Sequence, residues 1–468
     1  MATIVVTPPE TPPSLLDRAL RVFADVRGGE SGTTLILLAN VFLLLGGYYF
    51  VKPARDGLLA TSGVEGISST ELKAYSSFGQ GLLLLLVIPV YARLSSVLRR
   101  RQLVSRVTLF FTSNLVLFWL LQPGFLVERV PYLGIAFYLW VGIFNNLVVA
   151  QFWSFAADIY DEERGKRLFP IIAIGASAGA AAGAWIAKQL VSMRLLDTYS
   201  LLLAAAGILL VSIALTRWAD TRGAIGVGSP QTPRPAGQPA PSKGAAFRLV
   251  FAHRYLLATA LLILVLNWVN TNGENLLFGS VQMVLQQQIH QQGLTDPATI
   301  ERFVADGTTA FYGDFLFWVS LLGLLLQAFV ASRLLKYGGF ATLLLALPVI
   351  SLLSYTAMAL IPVLAVIKAM KIAENATDYS INNTAKQVLW LPTTREMKYQ
   401  AKGAIDTLFV RIGDGFSAVT AFVGVNLLQL GLTPLFGLNV LLVLVWLALA
   451  IVVVRENRRL ARGQPPAG

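Results

Sequence analysis

Long apolar runs recur along this chain, and that recurrence limits its fold more than any other feature. Stretches of about 20 residues, enough to cross a bilayer as helix, lie near 33–52, 74–97, 103–122, 132–158, 168–191, 198–217, 255–285, 309–335, 340–361, 362–390, 401–430 and 434–455. Backbone polar groups in hydrocarbon must be satisfied internally, so each run is expected to be a helix. The runs at 362–390 and 401–430 are only weakly apolar and rest on the tandem pattern as much as on hydropathy. The mean hydropathy of +0.65, with 13% charged residues, agrees with a polytopic membrane protein.

Between the sixth and seventh runs the chain changes character. Thr221–Ala246 contains GSPQTPRPAGQPAP (228–241), a linker composition. It separates two sets of six runs, the layout of a major-facilitator-type transporter. The expected organisation is an N-terminal tail (1–32), a six-helix bundle (33–218), a Pro/Gly-rich linker (219–247), a second six-helix bundle (248–456) and a C-terminal tail (457–468). The fold class is therefore all-α, with twelve transmembrane helices in two bundles. Two short echoes hint at a repeat: Tyr91-Ala92-Arg93-Leu94 with Ala331-Ser332-Arg333-Leu334, and the charged stretch 161–167 with 394–398.

Arginine and lysine collect in alternate loops, among them Arg93 to Arg106, Arg164 to Arg167, the linker, Arg395 to Lys402 and Arg455 to Arg462. By the positive-inside rule this places both termini in the cytoplasm. The net charge of +12 then needs no nucleic acid to explain it. No cleaved signal peptide is expected at the N-terminus, where no apolar h-region precedes a cleavage site. The chain has no Cys and two His residues far apart, and no nucleophile elbow or P-loop is present. Neither an enzyme nor a metal or other cofactor is expected.

Ionised side chains at bilayer depth are costly, about 2.5–3.5 kcal/mol each at the centre on insertion scales, so they should face a partner helix or water. The tenth run holds the longest such stripe: Lys368, Lys371, Glu374 or Asn375, Asp378 and Asn382 recur at steps of three and four, one helix face. It reads either as a substrate surface or as an internal salt-bridge ladder. At the end of the first run Tyr48, Lys52 and Asp56 are spaced by four beside Arg55. They are either a cationic anchor or a snorkelling helix end, and Pro53 is expected to bend or end the helix there. The fourth run carries Asn145, Asn146, Gln151 and Asp158, the amides being candidates for interhelical hydrogen bonds. The fifth carries Gly175, Gly179 and Gly183, a close-packing signal expected where a helix crossing changes during transport. In the seventh, Glu274 is the lone acid of a long apolar segment, and Gly273 among amides is expected to weaken the helix. The eleventh carries Asp406, Arg411 and Asp414; the acids either neutralise Arg411 or leave it free for an anion.

At these same residues the chain resembles the ATP:ADP antiporter family of nucleotide exchangers, and it looks closest to a divergent bacterial branch. The stretches YYFVKPARD (48–56), FWSFAADIY (152–160) with GKRLFP (165–170), Glu274-Asn275 and KGAID (402–406) carry the likeness. The resemblance implies nucleotide or phosphate-ester exchange in a bacterial inner membrane. It carries the family's first-helix lysine onto Arg55, with Asp56 after it, and the seventh-helix glutamate onto Glu274. Two positions depart from the pattern: the fourth-helix glutamate falls near Val141 and the eleventh-helix lysine on Asp414.

The expected function is thus a transporter that binds a small anionic, nucleotide-like substrate at Lys52, Arg55, Glu274, Lys368, Lys371, Asp378, Asn382 and Arg411. Asp56, Asp158, Glu374, Asp406 and Asp414 are the expected coupling or gating acids. The alternatives are a proton-coupled carrier of another organic anion or amphiphile, and a receptor or scaffold that has lost transport. The bilayer is the expected partner and nucleic acid is not.

Overall fold

The computed structural model describes residues 26, 27, 30–97, 100–126, 128, 130–160, 162–226, 243–394, 397 and 401–461. Every described element is helical, and ten stretches are long and apolar enough to cross a membrane. One of these, Pro297–Leu360, is two helices: Gly339 breaks it with φ 69° and ψ −174°, a backbone state that glycine supplies without a Cβ clash. A further helix starts at Leu364; with Lys368, Lys371 and Glu374 in it, it is not among these ten.

We number the twelve long helical elements in chain order. The first six are α1 (Ser31–Ala60), α2 (Ser69–Val97), α3 (Arg100–Leu120), α4 (Leu133–Ile159), α5 (Glu162–Ser192) and α6 (Ser200–Gly226). After a short connecting helix, Lys243–Ala252, come α7 (Arg254–Gln292) and α8, which starts as Pro297–Leu326 and continues to the break at Gly339. Next are α9 (340–360) and α10 (Leu364–Thr377, a π-helical turn Asp378–Asn382, then Asn383–Val388). α11 runs from Lys402 to Leu427 with two π-turns, and α12 is Leu432–Ala461. Residues 227–242 of the expected linker, most of both tails, and most of the charged echo at 394–398 lie outside the described residues.

Local sequence explains the ends. Asp296 caps α8 by accepting from Thr299 N at 2.9 Å, and Pro297 occupies the first helical position. Its exposed carboxyl is held below the usual carboxylate range by the Thr299 side chain and backbone. Gly293 closes α7 in the left-handed region. At about 1.5 Å per residue the 39 residues of α7 measure about 58 Å, well beyond a hydrocarbon core of about 30 Å.

Two helices run on past residues that could have ended them. α1 does not end at Pro53 but continues to Ala60. α7 likewise runs on through Gly273 as regular helix; the use of that glycine is steric, as described below.

Burial divides the chain into two clusters. One is built from α1 and α3–α6. The other is built from α7–α12 and receives Leu59, Leu72, Tyr138 and Ala184 from the first half. Leu86, Val90, Phe110, Leu353 and Leu441 stand exposed on the outside of the bundle, the side that a bilayer covers. The glycines of α5 pack it on α1: Cβ atoms built at Gly175, Gly179 and Gly183 would lie 2.7, 2.2 and 2.4 Å from the carbonyl oxygens of Leu38, Phe42 and Gly46. This crossing is internal to the first half, and the close packing that the glycines predict is present.

Contacts between the halves gather toward the face that carries the α1–α2, α5–α6 and α7–α8 turns. Thr198 Oγ1 meets Thr309 Oγ1 at 2.9 Å and donates to Asp306 at 2.7 Å. Asn426 donates to Glu71, and Gly279 lies under Thr70. The deepest is Arg411, whose Cδ lies 2.7 Å from a Cβ built at Gly81.

Candidate functional site

The charged stripe of α10 does not act as one surface. The π-turn at Asp378–Asn382 shifts the helical phase partway along, so the stripe separates into three groups. At the near end Lys368 bonds Asp314 of α8, which also bonds Lys188 of α5. That bridge joins the two halves. Across the π-turn, Asp378 accepts from Asn382 at 2.6 Å and from Lys386 at 3.4 Å.

The middle group is the most buried. Lys371 has no exposed surface; its Nζ lies 2.7 Å from Glu374 Oε2 and 3.4 Å from Glu274 Oε1. Glu374 Oε1 also accepts from Tyr355 Oη at 3.1 Å and Ser351 at 3.3 Å. Glu274 accepts from Asn375 at 2.7 Å. One cation is thus held between two carboxylates, each with further donors, as a buried ion cluster requires. Gly273 makes room for it: a Cβ there would come within 1.9 Å of Tyr355 Oη and 2.9 Å of Lys371 Nζ. The ladder reading holds for Lys371 with Glu374 and not for Asp378.

The first half supplies a second cluster. Arg55 donates to Asp56 Oδ2 at 3.1 Å, and Lys73 bonds the same carboxylate. The Arg55 guanidinium lies 4.3 Å from the Tyr138 ring centre. Lys73 is surrounded by three rings, Tyr138 at 4.8 Å, Phe278 at 5.2 Å and Tyr312 at 5.5 Å, the last two from the other half. Arg55 and Asp56 therefore meet as a neutralised, cation–π-supported group. Arg411 is likewise paired, 2.9 Å from Asp414, which also accepts from Asn267 and Thr271. Asp414 neutralises Arg411; Asp406 does not, and stands exposed, as does Asp158.

Three further side chains stay accessible near these clusters. Lys52 is half-buried, Glu274 keeps 27% and Tyr379 49% of its surface accessible. They lie within electrostatic reach of one another: Lys52 of Tyr379 and Glu274, and Glu274 also of Lys73. α1, α7 and α10 thus each contribute one accessible member to a polar group. Tyr49 stacks its ring 5.2 Å from Lys52 Nζ on the same side.

Of the residues expected to bind or gate, Lys52 and Glu274 belong to this accessible group, with Lys371 and Glu374 next to Glu274 and Arg55 with Asp56 nearby in the first half. Lys368 sits in the bridge between halves, Asp378 and Asn382 form a separate pair, and Asp158 and Asp406 lie apart. The sequence reading missed Lys73, Lys188, Asp314 and Tyr355. Asp314 was within reach of it, being a lone acid in an apolar run like Glu274. Lys73 looked like a loop residue ahead of the second run.

No family model matches the chain. It is 21% identical over 330 residues to ADP,ATP carrier protein 1 of Chlamydia pneumoniae, covering 61% of this chain and 59% of that one. The chain thus spans less than two thirds of that relative's length. Among solved structures it resembles an auto-inhibited POT family peptide transporter (TM-score 0.59, 13% identity, 93% of this chain and 98% of that one). It also resembles the nucleoside transporter NupG (0.55, 14%, 90% and 98%). A third likeness is to a bacterial homologue of the iron transporter ferroportin in an inward-facing state (0.60, 13%, 92% and 99%). The chain is therefore an all-α integral membrane protein with the major-facilitator-type transporter fold, and its sequence likeness is to a nucleotide carrier, in line with the antiporter resemblance of its motifs.

Proposed function

We propose that this protein is a transporter that moves a small anionic solute, of nucleotide or phosphate-ester class, by alternating access. The observation that carries this reading is the accessible group Lys52, Glu274 and Tyr379, contributed by α1, α7 and α10, with Arg55, Lys73 and Lys371 close by; the substrate space of this reading lies against that group. Lys52 is the cation there without a bonded carboxylate among the described contacts, so it is the primary contact for a phosphate. Tyr379 offers an accessible ring for a base to stack on. Glu274 screens Lys371 from the space, and displacing Glu274 from Lys371 is the step that exposes a second cation to the substrate. Asp56 and Glu374 hold Arg55, Lys73 and Lys371 in place and act as gating acids.

The halves 33–218 and 248–456 rock about this space. Their described contacts lie toward the turn-bearing face, which supports a state closed there and open on the face carrying the termini. The clustering of basic residues in alternate loops supports cytoplasmic termini and a bacterial inner membrane. The likeness to an ADP,ATP carrier supports nucleotide exchange, while Val141 and Asp414, where that family's pattern has a glutamate and a lysine, leave the identity of the nucleotide to experiment.

The test is uptake of labelled ATP into proteoliposomes preloaded with ADP. Exchange that falls about tenfold or more in Lys52→Gln, as loss of a charge-assisted contact of about 1.5–3 kcal/mol requires, supports the reading. A second reading, proton-coupled transport of another organic anion, rests on Glu274, an accessible carboxylate sharing a cation with a buried one. Uptake driven by an imposed pH gradient, with no ATP/ADP exchange, would replace the first reading by the second.

A further inference from the structure

Three asparagines and a serine of the second half form one buried chain beside the Lys371 cluster. Asn439 of α12 donates to Val269 O at 3.3 Å, and Asn272 of α7 donates to Asn439 Oδ1 at 3.1 Å. Ser417 of α11 donates to Asn272 Oδ1 at 2.7 Å, and Asn275 of α7 donates to Ser417 Oγ at 3.0 Å. None of the four has more than 6% of its surface exposed. At the far end Val269 O also accepts from Tyr355, whose hydroxyl lies 3.1 Å from Glu374.

The last member fixes the direction of this chain. A backbone carbonyl only accepts, so Asn439 turns its amide nitrogen to Val269 and its oxygen to Asn272. Asn272 must then give its nitrogen to Asn439 and its oxygen to Ser417, whose one proton is used there. Ser417 is left to accept from Asn275, and Asn275 Oδ1 faces away from the chain. That oxygen is buried and has no hydrogen-bond partner among the described residues. Buried acceptors of this kind are as a rule paired, with protein or with ordered water.

Asn275 borders a cavity of about 10 Å³, shared with Thr70 of α2 in the other half. Thr70 lies over Gly279, one turn along α7 from Asn275: a Cβ built at Gly279 would stand 2.2 Å from Thr70 Oγ1. Cβ atoms one turn apart are about 5–6 Å from each other, so the hydroxyl is close to Asn275 without bonding it. We infer that this cavity holds one ordered water, which donates to Asn275 Oδ1 and reaches Thr70 Oγ1, bridging the two halves. The volume matches the roughly 10–15 Å³ that a single water needs, and the apolar walls of Leu276, Ala421 and Leu435 leave no space for a larger guest. Thr420 also lines the cavity but gives its proton to Phe416 O at 2.8 Å. A metal ion is a poorer occupant, because oxygens must replace its hydration shell and no lining side chain is ionised. The bridge sits one residue from Glu71, which takes the Asn426 bond, so it adds to the closure of the turn-bearing face. It stands whatever solute is carried.

The test uses the full chain, mapped at a resolution that shows waters, once in sodium chloride and once in choline chloride. The expected result is one density peak about 2.5–3.0 Å from Asn275 Oδ1, within reach of Thr70 Oγ1 and equal in the two salts. A peak present in sodium alone overturns the inference in favour of a cation, and no peak in either salt overturns it outright. Thermal unfolding is the second measurement. Thr70→Val keeps the shape of the side chain and removes its hydroxyl, so it should lower the unfolding midpoint. In an Asn275→Leu background, where the water has no acceptor, that drop should shrink at least about threefold, as coupled residues require. No drop, or the same drop in both backgrounds, overturns the bridge. If Asn275→Leu does not fold, the two maps decide alone.

Discussion

Gly273 lies directly beneath the hydroxyl of Tyr355, so that a methyl group added to it would stand 1.9 Å from that oxygen. Tyr355 is fully buried and bonds Val269 O at 3.2 Å and Glu374 at 3.1 Å, so it has little freedom to retreat. Alanine raises intrinsic helix propensity by about 1 kcal/mol, and overpacking a filled interior costs about 1–3 kcal/mol. The second effect should win. Gly273→Ala is expected to lower stability and to weaken binding of anions by displacing Lys371, and Tyr355→Phe, which removes the clashing oxygen, should recover part of the stability. A double-mutant cycle in unfolding experiments measures the coupling; additive effects would mean that the contact is not what the glycine serves.

The Lys371 cluster predicts that a double change costs less than the single change it contains. Lys371→Met leaves Glu374 buried with its carboxyl facing no cation, and breaking a buried pair on one side costs about 3–5 kcal/mol. Lys371→Met combined with Glu374→Leu removes both charges, and most of that loss should return. Glu274 does not prevent the recovery because it keeps 27% of its surface accessible and retains Asn375 as a partner. Denaturation in mixed micelles reads both values. A double variant as unstable as the single would show that Glu274, rather than Glu374, holds the lysine.

The helices were legible in the sequence because their signal is additive over 20 or so residues, while a site depends on phase and partner. The weakly apolar stretches at 362–390 and 401–430 did become helices, as the tandem pattern required. The stripe of α10 was correctly read as a set of charges that must be satisfied, but its single face was lost at the π-turn Asp378–Asn382, which no residue type announces. Lys188 and Asp314 are 126 positions apart and meet only because α5 and α8 cross. Gly273 was read as a weak point in a helix; only the position of Tyr355, on another helix, shows that its missing side chain matters more than its flexibility.

Glu30, just ahead of α1, accepts two hydrogen bonds of 3.0 Å from Arg167 of α5. Burial pushes its carboxyl up, but the Arg167 bonds, the Arg27 amide and the charges of Arg167 and Arg164 outweigh that and hold it below its ordinary value. A carboxyl depressed in the folded state adds stability above its unfolded value of about 4.3, and that stability is lost as pH falls through the lower, folded value. Wild type should therefore exceed Glu30→Gln in thermal stability at neutral pH, and the gap should close in acid, below about pH 4. A gap that stays constant from neutral to acid would assign the effect to packing instead of charge.

Asp314 ties the two halves through Lys188 on one side and Lys368 on the other. Both lysines are partly exposed, 33% and 26%, so each ion pair is expected to contribute no more than about 1 kcal/mol. That is small for stability and large for a two-state equilibrium, since about 1 kcal/mol changes a population ratio about fivefold. Asp314→Asn removes the shared acid and leaves two cations facing each other across the boundary between halves. The turn-bearing face should open more often as a result. The chain contains no cysteine, so Leu195→Cys and Ala298→Cys, both at exposed positions on opposite halves, can carry spin labels without further engineering. Pulsed dipolar measurements should show a longer-distance population that grows several-fold in Asp314→Asn and is unchanged by Lys336→Gln. Identical distance distributions in wild type and Asp314→Asn would leave the bridge as packing, with closure of this face resting on the other contacts there, among them Thr198 with Asp306 and Thr309 and Asn426 with Glu71.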